Sequence, residues 1–579
     1  MNKVKLMLSY LKNYKGLLGL NFLCVFGFVI IELGLPTLLA LIIDKGIIMN
    51  DFSEVMNYGE WMVVIAIIGL ISLIGLAYTG SKITTEIVRD IRNDIFMSVQ
   101  SFSHSEFNHI GVSSLVTRTT NDAFQVMTFL QMLLRLGMMT PVMFISSFIM
   151  IVRTSPSLSY TVLLAIPFLF AIVWLIARKS EPLSEKQQVS LDHINQNLRE
   201  NLTGLRVIRA FVKEKFQEER FIKVNQNYTR VSKKLFKLMA LAMPSFSIIF
   251  NIILITIVWF GTIEIQSGNL QIGNLIAFIE YIFLALFSFM LFANVFMMYP
   301  RAAVSAERIE EIIQTVPSID ENENGVIETT THGQVVFENV TFAYPGNTES
   351  PVIRNVSFSA NPGETVAFIG STGSGKSTLI QLIPRFYDVT KGRVLIDGVD
   401  VRDYQLKALR KKVGFIPQKA LLFTGTISHN MRYGKWNATT NEVDEASDIS
   451  QSKEFILSKP AQYEEVLAEG GSNMSGGQKQ RLSIARAIIK KPDVYVFDDS
   501  FSALDYQTDA RLRERLKSET QDASVLIVAQ RIGSIRHADK IIVLDKGIVV
   551  AQGTHEELIK MSDIYYDIAA SQLSKEELT

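Results

Sequence analysis

The sequence predicts a bundle of membrane-spanning α-helices that is fused to a separate α/β domain. Two observations support this fold class. Six long apolar stretches occupy the first half of the 579 residues, and short β-rich runs alternate with helical runs in the second half. The chain is also too long for one ordinary domain.

The apolar stretches have the length that a membrane requires. A helix needs about 20 mainly apolar residues to cross a hydrocarbon core of about 30 Å. Six stretches reach this length, at roughly 17–43, 58–78, 132–152, 160–177, 238–265 and 272–298. The first is too long for the apolar core of a cleaved signal peptide, so it reads as a retained span. We therefore predict a transmembrane domain over residues 1–310.

The distribution of positive charge predicts the orientation of these spans. Lys and Arg are frequent in residues 82–118 and 178–237, whereas residues 44–60 and 266–271 hold almost none. Positively charged connections stay on the cytoplasmic side, so both termini and both long connections are expected there. Apolar residues recur at helical spacing in 178–237. They fit either a solvated helical extension or a turn at 210–215 that contacts another domain.

The second half reads as a linker followed by an α/β domain. Residues 311–333 become acidic and polar without periodicity, as in a linker. In residues 334–570, strands and helices alternate, which favours a mostly parallel sheet. The predicted strands are 335–344, 364–369, 393–396, 413–416, 494–497, 524–528 and 541–544.

A glycine-rich loop between a strand and a helix gives the strongest chemical signal. It fits the pattern G-x-x-x-x-G-K-[ST], in which backbone N–H groups surround phosphate. Its lysine would reach the β- and γ-phosphates, and the serine after it would hold Mg²⁺. The residues are Gly370, Ser371, Thr372, Gly373, Ser374, Gly375, Lys376, Ser377 and Thr378. The α/β domain is thus predicted to be a P-loop nucleotide-binding domain.

Two further elements extend this site. Asp498 ends an apolar strand, and its carboxylate is the expected second group for Mg²⁺. The run Ser475, Gly476, Gly477 and Gln478 opens a helix and forms a second anion site. Because one phosphate loop already serves this chain's nucleotide, the second site is expected to serve the nucleotide of another chain.

In this combination and order, the motifs resemble those of half-transporters of the ABC exporter superfamily, and the resemblance covers nearly the whole chain. It implies ATP and Mg²⁺ as cofactors and a head-to-tail dimer. It also implies adenine stacking by Tyr344, Mg²⁺ sensing by Gln418 and an interface loop that ends at Asp505. Glu469 would touch intracellular helices, whose coupling turns are expected near 108–114 and 210–215.

Two positions depart from the family pattern. Asp499 stands where the family has a catalytic glutamate, and Gln530 stands where it has a switch histidine. Aspartate is one methylene shorter, and a misplacement of about 1 Å can cost about 10²-fold in rate. Gln530 also lacks an ionisable imidazole. These changes predict a degenerate site that binds ATP and hydrolyses it slowly. The chain would still contribute an intact signature, residues 475–478, to the ATP site of its partner.

The resulting functional hypothesis is one subunit of a heterodimeric multidrug exporter. It would move hydrophobic or amphiphilic compounds out across a plasma membrane, most simply a bacterial one, by alternating access, and it would do so together with a second, non-identical chain. Glu280 in the sixth span is the candidate residue of a substrate cavity. The alternatives are a homodimeric lipid flippase or peptide exporter, and an ATP-gated channel or regulatory subunit. The zero net charge gives no indication of nucleic-acid binding.

Overall fold

The computed structural model describes residues 5–347 and 349–574. Residues 1–4 of the expected transmembrane domain and residue 348 of the expected nucleotide-binding domain lie outside this part. Internal contacts divide the chain into two units. One comprises Met1–Gln100 and Ser113–Thr315, and the other comprises Ser101–Val112 and Val316–Thr579.

In the described part of the chain, the first unit consists of long helices, six of which are apolar and long enough to cross a membrane. Each contains one of the predicted spans and extends beyond it, so the predicted α-helical bundle is confirmed. Their bounds are Leu6–Ile47, Phe52–Ser101, Val112–Thr154, Pro156–Thr203, Glu214–Gln266 and Ile272–Gln314. A short helix, Leu205–Ala210, lies between the fourth and the fifth. The charged connections between the spans are therefore helical extensions rather than loops.

Polar residues fix where these helices begin. Ser155 accepts a hydrogen bond from the Leu158 N–H, and Pro156 occupies the first helical position, which needs no N–H donor. Asp44 acts from a distance. Its carboxylate is buried and accepts the backbone N–H groups of Gly273 and Asn274, at 2.6 and 3.1 Å. The first long helix therefore caps the sixth.

Within the residues that the structure describes, the second unit contains twelve strands in three sheets. Their bounds are β1 Val335–Phe342, β2 Ile353–Ala360, β3 Thr365–Gly370, β4 Lys391–Ile396, β5 Val399–Asp400, β6 Val413–Ile416, β7 Gly425–Thr426, β8 Val466–Leu467, β9 Val494–Asp498, β10 Ser524–Val528, β11 Lys540–Asp545 and β12 Ile548–Gly553. A six-stranded sheet has the order β12-β11-β3-β10-β9-β6, a four-stranded sheet has the order β2-β1-β4-β5, and β7 pairs with β8.

The six-stranded sheet confirms the predicted parallel arrangement, since only its edge pair β11–β12 is antiparallel. The four-stranded sheet is antiparallel throughout and was not predicted. The strands outside the predicted set are β2, β5, β7, β8 and β12. Two apolar cores lie on this framework, and each contains strands of the parallel sheet.

Short helices complete the second unit. Their bounds are His104–Ile110, Lys376–Gln381, Leu406–Lys412, Ile427–Arg432, Thr440–Ile449, Lys453–Leu457, Gly476–Ile488, Tyr506–Glu519, His555–Met561 and Asp563–Ala570.

The order of the parallel strands determines where the segments with the predicted phosphate-binding and Mg²⁺-binding residues lie. Because β3, β9 and β10 are neighbours and run in the same direction, the segments that follow them meet at one edge of the sheet.

Candidate nucleotide site

The glycine-rich loop follows β3 and is held open by backbone conformations that favour glycine. Gly370 has φ +154° and Gly375 has φ +97°. A Cβ atom at Gly370 would lie 2.0 Å from the Leu544 carbonyl oxygen, and one at Gly375 would lie 2.7 Å from Ile353 Cδ1. The Leu544 backbone therefore excludes a side chain at Gly370, and the positive φ favours glycine at Gly375. Between them, Ser371, Thr372 and Gly373 are exposed to solvent, whereas Ser374 is buried.

Lys376 points its ammonium group back into the loop. Its Nζ donates hydrogen bonds to the carbonyl oxygens of Gly370 and Ser371 at 2.8 and 2.9 Å. Burial lowers the pKa of Lys376, while the carboxylates of Asp499 and Asp498 counteract this effect. A desolvated ammonium among carbonyl groups is well suited to meet an anionic phosphate in the same loop.

Ser377 and Asp498 meet beside the loop. The Ser377 hydroxyl donates to Asp498 Oδ1 at 2.6 Å. Asp498 is buried, which raises its pKa, and the hydrogen bond from Ser377 acts in the opposite direction. A hydroxyl and a carboxylate oxygen are ligands that Mg²⁺ prefers. The donor set therefore fits the predicted metal position.

Tyr344 lies two residues after the end of β1, close to the helix that follows the loop. Its hydroxyl shares a hydrogen bond of 2.9 Å with the Thr378 hydroxyl. Its ring contacts Phe342 and Tyr387 at centroid distances of 5.0 and 5.3 Å, and the side chain remains partly exposed. The structure thus brings the predicted adenine-stacking residue next to the phosphate loop.

Asp499 forms hydrogen bonds with two other segments of the chain, which carry Gln418 and Gln530. Its Oδ2 accepts one N–H from Gln418 at 3.1 Å and another from Gln530 at 2.9 Å. The backbone of Asp499 is in the left-handed region, with φ +47°, and its N–H donates to the Val528 carbonyl at 3.0 Å. Burial raises the pKa of Asp499, and the bond from Gln418 opposes the rise.

The position of Asp499 follows from the strand order. It comes directly after β9, and Gln530 comes shortly after the neighbouring strand β10. Asp499 tolerates the left-handed conformation because short polar side chains do so more readily than most residues. A water molecule that approached Oδ2 would have to compete with two amide donors.

The predicted signature begins the helix Gly476–Ile488. Ser475 Oγ accepts the Gln478 N–H at 3.3 Å, and Gln478 Oε1 accepts the Ser475 N–H at 3.0 Å, so the helix starts with a reciprocal capping box. Ser475 and Gly476 are exposed, and Gly477 and Gln478 are partly exposed. A Cβ atom at Gly476 would meet no atom within 4 Å. The helix start is therefore open to solvent.

Asp505 caps the start of the helix Tyr506–Glu519 with its side chain. Its Oδ1 accepts the Thr508 N–H at 2.9 Å, which lowers the pKa of Asp505. The preceding residue Leu504 is buried. Asp505 and Glu469 both lie at the surface, as an interface role for either residue would require.

Residues 101–112 belong to the second unit although the sequence places them between two membrane helices. The helix His104–Ile110 starts with a capping box between Ser103 and Glu106. Asn108 Nδ2 donates to the Tyr387 hydroxyl at 3.1 Å, and the rings of His104 and Phe386 lie 4.6 Å apart. The first of the two expected coupling turns thus contacts the nucleotide-binding half of its own chain.

The remaining predicted residues lie in the first unit. Between the helices that end at Ala210 and begin at Glu214, Phe211 is 70% exposed and Val212 is 81% exposed. Val212 has φ +51°, which marks a sharp turn. Glu280 in the sixth long helix is also exposed.

Sequence reasoning did not identify Gln572. The side chain of this residue, which follows the last described helix, bonds to the backbone of Gln530 and of Ile532. It is polar, exposed and outside any motif, so the sequence contains no signal for it.

Comparisons with known proteins agree with this arrangement. Residues 18–290 match the family described as ABC transporter transmembrane region, and residues 353–502 match the ABC transporter family. The chain is 37% identical to the uncharacterized ABC transporter ATP-binding protein YfiB of Bacillus subtilis, over 98% of both chains. It is 30% identical to the ATP-dependent lipid A-core flippase of Syntrophus aciditrophicus, over 86% of this chain and 82% of that protein.

The solved structure of a bacterial Atm1-family ABC exporter with ATP bound has the same fold. The TM-score is 0.79 with 22% sequence identity, and the match covers 98% of each chain. Two family matches and a 37% identical relative that is matched over 98% of both chains lead to the same assignment. The chain belongs to the ABC transporter family and has the architecture of an exporter half-transporter, with six membrane helices and one ATP-binding domain.

Proposed function

We propose that this chain is the less catalytic subunit of a heterodimeric exporter, and that it contributes a sound signature to a different partner chain. The observation that carries the proposal is the double hydrogen bond on Asp499. Oδ2 of this carboxylate, which stands where the family has a catalytic glutamate, is engaged by Gln418 and Gln530 at 3.1 and 2.9 Å.

These contacts favour binding of ATP over its hydrolysis. The loop residues from Gly370 to Thr378 would hold the phosphates, and Ser377 and Asp498 would hold Mg²⁺, which neutralises phosphate charge. Asp499 is short, and its outer oxygen is occupied by amide donors. Gln530 offers a neutral amide where an imidazole would offer a charged or tunable donor. The site therefore keeps its binding groups while the groups for chemistry are altered.

The exposed capping box supports the second half of the proposal. Ser475 and Gly476 face solvent at the start of a 13-residue helix, where backbone N–H groups favour an anion. In a head-to-tail dimer, this helix start would lie on the partner's ATP. The exposed Phe211 and Val212 in the second coupling turn are apolar side chains that a partner's nucleotide-binding domain would cover.

The same proposal assigns the domains and the location. The transmembrane domain comprises residues 1–310, the linker 311–333 and the nucleotide-binding domain 334–570. Both termini and the nucleotide-binding domain lie in the cytoplasm, beneath a bacterial plasma membrane. The cargo is hydrophobic or amphiphilic, and the exposed Glu280 is the candidate contact for its positive charge.

A homodimeric lipid flippase is the second candidate. Its support is the 30% identity to a protein named as an ATP-dependent lipid A-core flippase. An amphiphilic lipid would use the same membrane helices as an amphiphilic drug. The two candidates differ in whether two identical chains are sufficient for transport.

The decisive experiment compares two substitutions in one complex. The tagged chain is purified from its native membrane, and a co-purifying half-transporter is identified by mass spectrometry. In that complex, Gly476→Asp should abolish most ATPase activity, because the added carboxylate repels the partner's phosphates. Asp499→Asn in the same complex should leave most of the activity intact.

The chain purified alone provides the contrary test. A homogeneous preparation should bind ATP and show little turnover. Robust turnover that Asp499→Asn abolishes would show a competent homodimer and would favour the flippase. The exposed Gly16→Asp serves as the matched control for Gly476→Asp, since a Cβ atom at this glycine also meets no atom within 4 Å.

A further inference from the structure

The end of the described chain reaches the segment that carries Gln530. The side-chain amide of Gln572 makes two hydrogen bonds there, one on either side of Arg531. Nε2 donates to the Gln530 carbonyl at 2.9 Å, and Oε1 accepts the Ile532 N–H at 2.9 Å. One amide therefore spans two backbone groups of the same loop in opposite directions.

The backbone N–H of Ile532 has no partner within its own turn, and Gln572 supplies the acceptor. Residues Ile532–Ser534 form a single 3₁₀ turn, and no side chain of the preceding Arg531 caps it. The first N–H groups of such a turn have no partner within it. Ile532 is fully buried, so its N–H would otherwise stay unpaired away from water. Gln572 thus caps the turn from a position 40 residues away in the chain.

The position of Gln572 is fixed by apolar contacts. Tyr565 and Ala569 of the helix Asp563–Ala570 are fully buried in the same core that contains Ile532, and Leu573 packs against it. The Gln572 N–H also donates to the Ala569 carbonyl at 3.0 Å, which continues the helix end. The segment that carries Gln572 is therefore anchored in the core, and this fixes the position of the Gln572 side chain at the loop.

We propose that Gln572 is a positioning residue for the ATP site of this chain. By holding the backbone on both sides of Arg531, it orients Gln530 so that the Gln530 amide donates to Asp499. Gln572 bonds to the Gln530 backbone, and the Gln530 side chain donates to Asp499. Gln418 donates to the same Asp499 oxygen from a different segment. The inference rests on the proposed function, because it assumes that Asp499 and Gln530 face bound ATP.

The contact itself is tested without nucleotide. Hydrogen–deuterium exchange of the full-length chain should show that Gln572→Ala speeds exchange at the Ile532 amide by roughly fivefold or more, because one hydrogen bond is lost. Ser571→Ala is the matched control. The Ser571 hydroxyl donates to the Ile568 carbonyl of the preceding helix and makes no hydrogen bond to the loop 530–532 among the described residues, so exchange at Ile532 should stay unchanged. Unchanged exchange in Gln572→Ala would overturn the proposal.

The positioning role is tested by a double-mutant cycle on ATP affinity. Gln572→Ala should weaken binding of a fluorescent ATP analogue by roughly threefold or more in the wild-type background. In a Gln530→Ala background it should change little, since the group that it positions is gone. Equal weakening in both backgrounds would show a merely structural effect and would contradict the proposal. Failure of the wild-type chain to bind the analogue would instead refute the proposed function, and the exchange result would still decide the contact.

Discussion

The Ser377 hydroxyl and Asp498 Oδ1 are 2.6 Å apart although 121 residues separate them in the chain. This pair joins the phosphate loop after β3 to the end of β9. It requires both strands to end at the same edge of the sheet, with only β10 between them. The predicted Mg²⁺ position is therefore a product of strand order.

The raised pKa of Asp498 predicts a pH-dependent metal requirement. Burial raises this pKa above its ordinary value of 3.8, so the neutral form is favoured in the folded chain. Above the raised pKa the buried charge opposes folding, and this cost disappears as the pH falls through it. The proton then competes with Mg²⁺. We expect the affinity for Mg²⁺–ATP to fall on acidification, whereas metal-free ATP binding changes less. Equal pH dependence with and without Mg²⁺ would contradict this prediction.

Replacement of Lys376 should remove nucleotide binding. Its ammonium already lies inside the loop, at 2.8 Å from the Gly370 carbonyl, and a charge-assisted hydrogen bond contributes about 1.5–3 kcal/mol. We expect Lys376→Ala to weaken ATP binding by about tenfold or more, measured by fluorescence titration of the purified chain. The exposed Lys411→Ala is the control for a general loss of positive charge. Similar weakening in both variants would argue against a specific role.

Restoring the two family residues should restore hydrolysis. In Asp499→Glu with Gln530→His, the longer carboxylate and an imidazole would replace the present amide–carboxylate pair. We expect ATPase activity to rise by on the order of tenfold or more in the homogeneous chain. Asp499→Glu alone should gain less, because Gln530 remains and the φ of +47° suits aspartate better. A double variant no faster than wild type would mean that another feature limits turnover.

Asp44 should stabilise the membrane unit more than an exposed cap does. Loss of its carboxylate leaves the buried Gly273 N–H and the partly buried Asn274 N–H without this acceptor, at a cost of about 1–3 kcal/mol. We expect Asp44→Ala to lower the thermal unfolding midpoint clearly in detergent. The exposed Asp51 accepts the Ser53 N–H at 3.0 Å at the start of the second long helix, and Asp51→Ala should cost about 1 kcal/mol or less. Equal shifts would show that burial of the cap is unimportant.

The sequence was sufficient for the features that depend on local pattern. Six apolar stretches predicted six membrane helices, and the glycine-rich loop lies between β3 and a helix as its pattern requires. Strand β2 was missed although Val356, Phe358 and Ala360 alternate with polar residues and are buried. Its pairing with β1 forms an antiparallel sheet, which the alternation of strands and helices elsewhere does not indicate.

Contacts between distant residues could not be predicted in the same way. Gln418, Asp499 and Gln530 were each singled out, but their convergence on one carboxylate oxygen depends on the order β10-β9-β6 in the sheet. Gln572 and Asp44 act on backbone groups, and any residue sequence offers such groups. Their partners become visible only when the fold is known.

The reciprocal bonds between Ser475 and Gln478 have a consequence for assembly. The helix start is already ordered in the single chain. Association with a second chain would therefore not carry the conformational-entropy cost of ordering this segment. The surface that would meet the partner is therefore preformed. Recognition of a partner's phosphates could then proceed by rigid approach, and the speed of closure would depend on encounter rather than on local rearrangement.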